Sequence, residues 1–309
     1  MTPRRYSPQA SNNGFTLIEL LVAMIVTAIV GIAMVSNSIS QQRSSTMVRQ
    51  VAQLQQQLRG AVYLMEEDIR IAGYMGETGA ATVTSPFGVT DVRSYSITDE
   101  NTTPTMTGAP LGSPSMTLAY DWDPNNAATT GNGILDEPTV SYRLFDDNND
   151  NLIDLTRDTN GQRQLMAEGL QAIGFAYAID VDGDGQLDRT AGNNNIIWAV
   201  DSNNDNTLDT NLDTNDDGVI DINDDANANF VIESADGGAG IINPPATLLQ
   251  IRMVRIWMVA RTRTADPQYT NIEQYVVGAH VVPAQAGGFQ DNFRRQIIDH
   301  SVQFRYLGL

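Results

Sequence analysis

Apolar residues follow three different rhythms along the chain, and each rhythm predicts a different element. From Phe15 to Val35 they run almost unbroken, with Glu19 as the one charge among them. As a helix rising ~1.5 Å per residue, the run covers about 31 Å, which matches a hydrocarbon core. From Met47 the apolar positions thin to Val51, Leu54, Leu58, Val62, Met65, Ile69 and Ala72, three or four apart, with Arg and Gln between them. That spacing places one stripe on one helix face. No proline interrupts 15–76, so both rhythms predict one continuous helix ending at Gly73 or Gly76, with Gly31 and Gly60 as its weak points. Beyond Gly76 the period becomes two: Met116-Leu118-Tyr120, Val140-Tyr142-Leu144, Phe175-Tyr177-Ile179, Ile251-Met253 and Val302-Phe304-Tyr306. Half-buried strands alternate in this way, so an antiparallel sheet lying on the helix is expected. Val254–Val259 is apolar enough for a central strand, whereas 77–114, rich in Thr, Gly, Ser and Pro, reads as loops with weak strands.

Composition narrows the function classes. The net charge is -19, with 37 acidic residues against 18 basic ones, and every basic residue is arginine. Nucleic acid is excluded as a partner because no basic face is visible. With no cysteine, neither disulfides nor thiolate metal sites are available. Enzyme chemistry finds no phosphate loop, no His-Glu-x-x-His and only His280 and His300 as imidazole bases. The first apolar run is longer than a secretory signal core and leads into Ser36-Asn37-Ser38, which reads as a retained anchor. Arg4 and Arg5 precede the run and Arg43 and Arg49 follow it, so orientation rests on the size and charge of the remainder, which favour export.

The densest charge lies between Asp180 and Asp225, where thirteen aspartates face one basic residue, Arg189. Four segments share a register with oxygen-bearing side chains at positions 1, 3, 5 and 9. They are Asp146-Asn148-Asp150-Asp154, Asp180-Asp182-Asp184-Asp188, Asp201-Asn203-Asp205-Asp209 and Asp213-Asn215-Asp217-Asp221. Position 6 is Asn151, Gly185, Asn206 or Gly218, the residue types that accept a left-handed turn. Position 8 is Ile153, Leu187, Leu208 or Ile220, which pins each loop to a core. A degenerate copy surrounds Asn132, Gly133 and Asp136.

The leader MTPRRYSPQASNNG, followed by Phe15-Thr16-Leu17-Ile18-Glu19, resembles the class III signal of type IV prepilins and type II secretion pseudopilins. The resemblance implies cleavage after Gly14 by a prepilin peptidase, methylation of the new N-terminal Phe15, and pairing of Glu19 with the N-terminal amine of a neighbouring subunit. Such a pair offsets the desolvation of both charges in an apolar filament core. Glu67-Asp68-Ile69-Arg70-Ile71-Ala72-Gly73-Tyr74 and Phe293-Arg294-Arg295 before a last strand resemble the PilW and PulJ branch of minor pilins. The aspartate segments resemble the calcium loops of EF-hand, dockerin-like and thrombospondin type 3 repeats. They depart at position 12, which is Arg157, Ala191, Leu212 or Asp224 where an EF-hand has Glu, so only the Asp213 loop keeps an acid there.

The expected fold is therefore α+β and type IV pilin-like: a long N-terminal helix, transmembrane in its first half and amphipathic in its second, packed on an antiparallel sheet. The expected divisions are a leader (1–14), a membrane and filament-core helix (15–35), its amphipathic continuation (36–76) and a β-rich periplasmic or extracellular head (77–309), with Asp-rich loops at about 146–154 and 180–225. The expected role is that of a minor pilin in type IV pilus assembly, partnered by other pilins, prepilin peptidase and the inner membrane, with weakly bound Ca2+ at several sites. A J-type pseudopilin of type II secretion and a calcium-dependent pilus-borne adhesin are the alternatives.

Overall fold

The computed structural model describes residues 16–73, 89–93, 115–118, 140–145, 153–159 and 162–305. The expectations placed on Gly14, Phe15, Gly76, Tyr120, Asn132, Gly133, Asp136, Asp146, Asn148, Asp150 and Tyr306 lie outside them. The helix, α1, runs Leu17–Ile71. Gly73 follows it at φ +78°, the left-handed conformation that ends helices.

The chain divides into two compact units at Arg49 and Gln50. In the first, every described residue from Thr16 to Thr46 is exposed, and the helix is long and apolar enough to cross a membrane. The second unit holds the rest of α1 and all of the strands.

The strands in chain order are β1 (Val89–Arg93), β2 (Ser115–Leu118), β3 (Val140–Phe145), β4 (Asp154–Thr159), β5 (Gln162–Ala167), β6 (Leu170–Ile179) and β7 (Trp198–Val200). They continue with β8 (Thr207–Asn211), β9 (Ile241–Thr247), β10 (Ile251–Arg261), β11 (Tyr275–Val277), β12 (His280–Val282) and β13 (Arg295–Gln303). Where one sheet was expected, the described residues form two large antiparallel ones: β1-β2-β3-β4-β5 and β13-β10-β6-β7-β8-β9. The β11-β12 hairpin stands apart. Strands β7, β8 and β9 escape the period-two pattern because they are three to seven residues long and β9 carries Pro244 and Pro245. Proline has no amide donor, and β9 tolerates it as an edge strand.

The main core joins the second half of α1 to both sheets. Leu54, Leu58, Val62, Met65, Ile69 and Ala72 are buried, and Met47 and Val51 are half-buried. Across from them lie Met116, Tyr142 and Leu155 of one sheet and Ile173, Phe175, Val254, Ile256 and Met258 of the other. Each such aliphatic side chain contributes about 1.5–3 kcal/mol on burial. A second core fills the far face of the six-stranded sheet, where Ala172, Ala176, Trp257 and Val259 meet Leu212, Ile220, Ile232 and Val277. Strands β6 and β10 are thus largely apolar on both faces, which is why 254–259, apart from Arg255, is apolar enough for a central strand. Gly174 allows the hairpin to come close, since a Cβ there would sit 2.5 Å from the Gly278 amide nitrogen.

One buried polar contact ties α1 to the five-stranded sheet. Arg157 on β4 donates to Asp68 through Nε at 2.6 Å and through its second arm at 3.0 Å, and the Tyr142 hydroxyl donates to the same carboxylate. Burial, and after it the Asp68 charge, push the Tyr142 phenol up. The hydrogen bonds to Asp68 outweigh burial and raise Arg157.

Candidate functional site

Two places carry the candidate chemistry. At the start of α1, Thr16 and Glu19 form a reciprocal cap: the Thr16 amide and hydroxyl each donate to Glu19 Oε2 at 2.9 Å, and the Glu19 amide donates to Thr16 Oγ1 at 3.3 Å. Thr-x-x-Glu is the capping-box spacing, and it satisfies two of the donors that a helix start leaves open. The carboxylate lies at the positive end of the helix dipole.

The aspartate loops form the second place. In the Asp213 loop, the position 1 carboxylate accepts from the amides of Asp217 at 3.0 Å and Gly218 at 2.9 Å. Asn215 Oδ1 accepts from Asp217 N at 2.9 Å, and Asp217 Oδ1 from Val219 N at 2.8 Å. Asp224, at position 12, is fully buried, accepting Thr214 N and Asn215 N on Oδ1 and Asp221 N on Oδ2. The Asp201 loop has the same inner wiring: Asp201 accepts Asp205 N at 3.2 Å and Asn206 N at 2.8 Å, Asn203 accepts Asp205 N, and Asp205 accepts Thr207 N. Asp209 closes it by accepting Ser202 N at 3.2 Å.

A further copy, absent from the sequence reading, follows directly. Asp225 accepts Asn229 N at 3.1 Å and Phe230 N at 2.7 Å, Asn227 accepts Asn229 N, Asn229 accepts Val231 N, and Asp236 accepts Asn227 N and Glu233 N. Asp225, Asn227, Asn229, Glu233 and Asp236 thus stand at positions 1, 3, 5, 9 and 12, with Ile232 buried at position 8. The signal that finds it is spacing, because Asp201, Asp213 and Asp225 are each twelve residues apart. Phe230 hid it by occupying position 6, where it takes φ +70°. All of these loops are left-handed at positions 4 and 6, including Gly183 and Gly185 of the Asp180 loop.

The Asp180 loop is wired differently. Asp180 Oδ1 accepts Gly183 N at 2.7 Å, Asp182 accepts Asp184 N, Asp184 accepts Gln186 N, and Asp188 accepts Val181 N at 2.9 Å. Carboxylate oxygens of Asp180, Asp182 and Asp188 all lie within 4.8 Å of one another, so these three side chains could hold a metal ion. Burial raises Asp188, against its bond from Val181, and the charges of Asp182, Asp180 and Asp184 add to the rise. Burial likewise raises Asp201, Asp213 and Asp224. Asp154, position 9 of the first register, is the buried first residue of β4, opposite Phe145, and accepts Gly169 N at 3.4 Å, while positions 1 to 7 of that register lie outside the described residues.

The loops are locked to one another and to the sheet. Asp216 is held by Thr190 Oγ1, the Asn193 amide at 2.8 Å and the Asn195 side chain at 3.0 Å. Leu208 enters the main core, and Ile220 and Ile232 enter the second.

Comparison with known proteins bears on the N-terminus. The model of the prokaryotic N-terminal methylation motif matches residues 9–35. No curated protein matches the sequence. Among solved structures, a type IV-like pilin of Thermus thermophilus matches with a TM-score of 0.38 at 12% identity, covering 82% of this chain and 98% of that one. The chain carries the N-terminal methylation motif of prepilins at the head of its apolar helix.

Proposed function

We propose that the protein is a minor pilin of a type IV pilus, of the PilW and PulJ kind. It is made as an inner-membrane precursor with its head in the periplasm, and is incorporated into the filament or its tip with other pilins. The methylation motif over residues 9–35 supports this reading: Gly14, Phe15 and Glu19 fall inside the matched segment, and we assign them cleavage, methylation and subunit pairing. On this reading 1–14 is the leader, 15–35 the membrane and filament-core helix, 36–76 its continuation and 77–309 the head. Glu19 exchanges its cap on Thr16 for the methylated amine of a neighbouring Phe15, which keeps both charges compensated in an apolar core.

The head, on the same reading, binds Ca2+ through its aspartate loops. Hard oxygen donors on alternate residues suit that ion, and the like charges crowded between Asp180 and Asp236 favour a divalent counter-ion.

The test is the intact mass of protein from native membranes, together with a Glu19→Ala variant. The expected mass lacks residues 1–14 and gains one methyl. Glu19→Ala inserts and is cleaved, yet is missing from sheared pili. A full-length mass, or recovery of the variant in pili at wild-type abundance, overturns the reading.

A further inference from the structure

The Asp180 loop differs from its three relatives in one respect that comes from outside the loop. Asp201, Asp213 and Asp225 each spend both carboxylate oxygens on the amides of positions 5 and 6. Asp180 uses Oδ1 for the position 4 amide, and its Oδ2 faces Arg252 Nε at 3.4 Å. Asp180 is buried and Arg252 partly so, with 1% and 14% of their side chains exposed. No arginine pairs with Asp213 or Asp225 among the described residues.

Arg252 is aimed there by the backbone. It is the second residue of β10, and the register of β10 on β6 slips between Ile251 and Met253, so Arg252 is the extra residue of a bulge. Bulges redirect side chains. The bulge lies where β6 ends at Ile179 and the Asp180 loop begins, and Gln250 reinforces it by accepting Asp180 N at 2.9 Å and donating from Nε2 to Val181 O at 3.1 Å. One terminal nitrogen of Arg252 is fixed on the carbonyls of Leu249 and Ile251, at 2.8 and 3.1 Å. Its Nε is buried and has no hydrogen-bond acceptor, only the longer ionic contact with Asp180. A buried donor in that state serves charge rather than hydrogen bonding.

We propose that Arg252 is a tethered cation competing with a metal ion for Asp180, which makes the Asp180 loop the low-affinity member of the set. This rests on the calcium reading above. A divalent ion entering among Asp180, Asp182 and Asp188 meets a guanidinium already on one of its oxygens and must displace it. The Asp213 and Asp225 loops meet no such competitor among the described residues and fill first.

Calcium titration calorimetry of the full chain in detergent micelles tests this, with Arg252→Gln, Arg252→Lys and Asp182→Asn variants. Wild type shows a weak component that Asp182→Asn removes. Arg252→Gln tightens that component about fivefold or more, since a unit charge within 4 Å is worth roughly fivefold even in water. Arg252→Lys, which keeps the charge, stays near wild type, and the component removed by Asp213→Ala does not change. Calcium isotherms of Arg252→Gln that superpose on wild type overturn the proposal and leave the calcium reading intact. If wild type shows no calcium heat at all, the calcium reading fails. The tethered cation then stands only if Arg252→Gln uncovers a new heat that Asp182→Asn abolishes. An Arg252→Gln chain that folds only in millimolar calcium supports the competition, and one unfolded with and without calcium overturns it.

Discussion

Replacing Asp68 by alanine strands Arg157 and removes the acceptor of the Tyr142 hydroxyl. Asp68 is 12% and Arg157 21% exposed in their side chains, so the pair is largely withdrawn from water. Breaking a buried pair costs about 3–5 kcal/mol, and the residual exposure of Arg157 argues for the lower end. The orphaned hydroxyl adds about 1 kcal/mol, because Tyr142 is fully buried. A loss of about 3–4 kcal/mol lowers the melting temperature of a unit this large by about 6–15 °C. Trp198 and Trp257 lie in that unit, so their fluorescence follows its unfolding in detergent-solubilised full chain without interference from the apolar helix. The pairing account makes a second demand. Asp68→Leu combined with Arg157→Met replaces the pair by apolar groups of similar bulk and recovers much of the loss, whereas each single change does not. Single variants melting within about 1 °C of wild type, or a double variant no better than the worse single, would refute the reasoning.

Three other outcomes follow from the loops and the far end of the sheet. In about 2 mM calcium, a site with a dissociation constant near 0.1 mM adds RT ln(1 + 20), about 1.8 kcal/mol, so the melt rises in calcium over chelator, and Asp213→Ala with Asp225→Ala removes most of the rise. Equal melts in calcium and chelator, with no binding heat, would leave the loops as a solvated acidic surface. Ala228 is exposed at φ +56°, so Ala228→Gly relieves a left-handed cost that exceeds glycine's extra entropy and stabilises by up to about 1 kcal/mol; a lower melting temperature contradicts this. Burial pushes the Asp291 carboxyl up, but its bidentate bonds to the fully buried Arg295, at 2.7 and 2.6 Å, win and hold it below 3.8. That stabilisation is complete above pH 3.8 and fades as pH falls through the lowered value, so Asp291→Asn flattens the acid limb of the stability curve. An unchanged limb counts against the pair.

The membrane-length run, the amphipathic stripe and the central strand β10 were legible because each repeats one rhythm over many residues, whereas β6 read as half-buried because its second face is lined by the small residues Ala172 and Ala176. Asp68 was not. It sits beside the stripe between Met65 and Ile69, and its partner Arg157 is 89 residues away. Arg157 also stands at position 12 of the first loop register, where it read as a departure from a calcium pattern and not as the anchor of a helix. The Asp180, Asp201 and Asp213 loops were legible from alternation, and Asp201 and Asp213 share one Asx wiring, while Asp180 takes the position 4 amide instead. The Asp225 loop was hidden by Ala226, Ala228 and Phe230, residue types that sequence reasoning does not place in such turns. Arg252 carried no local signal, since a bulge arises from the pairing of two strands and neither strand shows it alone.

The two loops Asp213–Asp224 and Asp225–Asp236 abut with no linker, and together they form an excursion between β8 and β9. Its neck is closed by Asn211 N on Gly240 O at 2.9 Å and by Asn211 Nδ2 on the carbonyls of Asp213 and Ala239. The ends of the excursion therefore stay fixed whatever its length. Because closure entropy grows only with the logarithm of loop length, one more twelve-residue unit costs about 0.3 kcal/mol. The first unit carries five acidic residues and the second three, with no basic residue in either. Inserting one more unit would add three to five negative charges to the surface of the head while Ile220 and Ile232 stay in the second core, so the excursion can lengthen at small entropic cost.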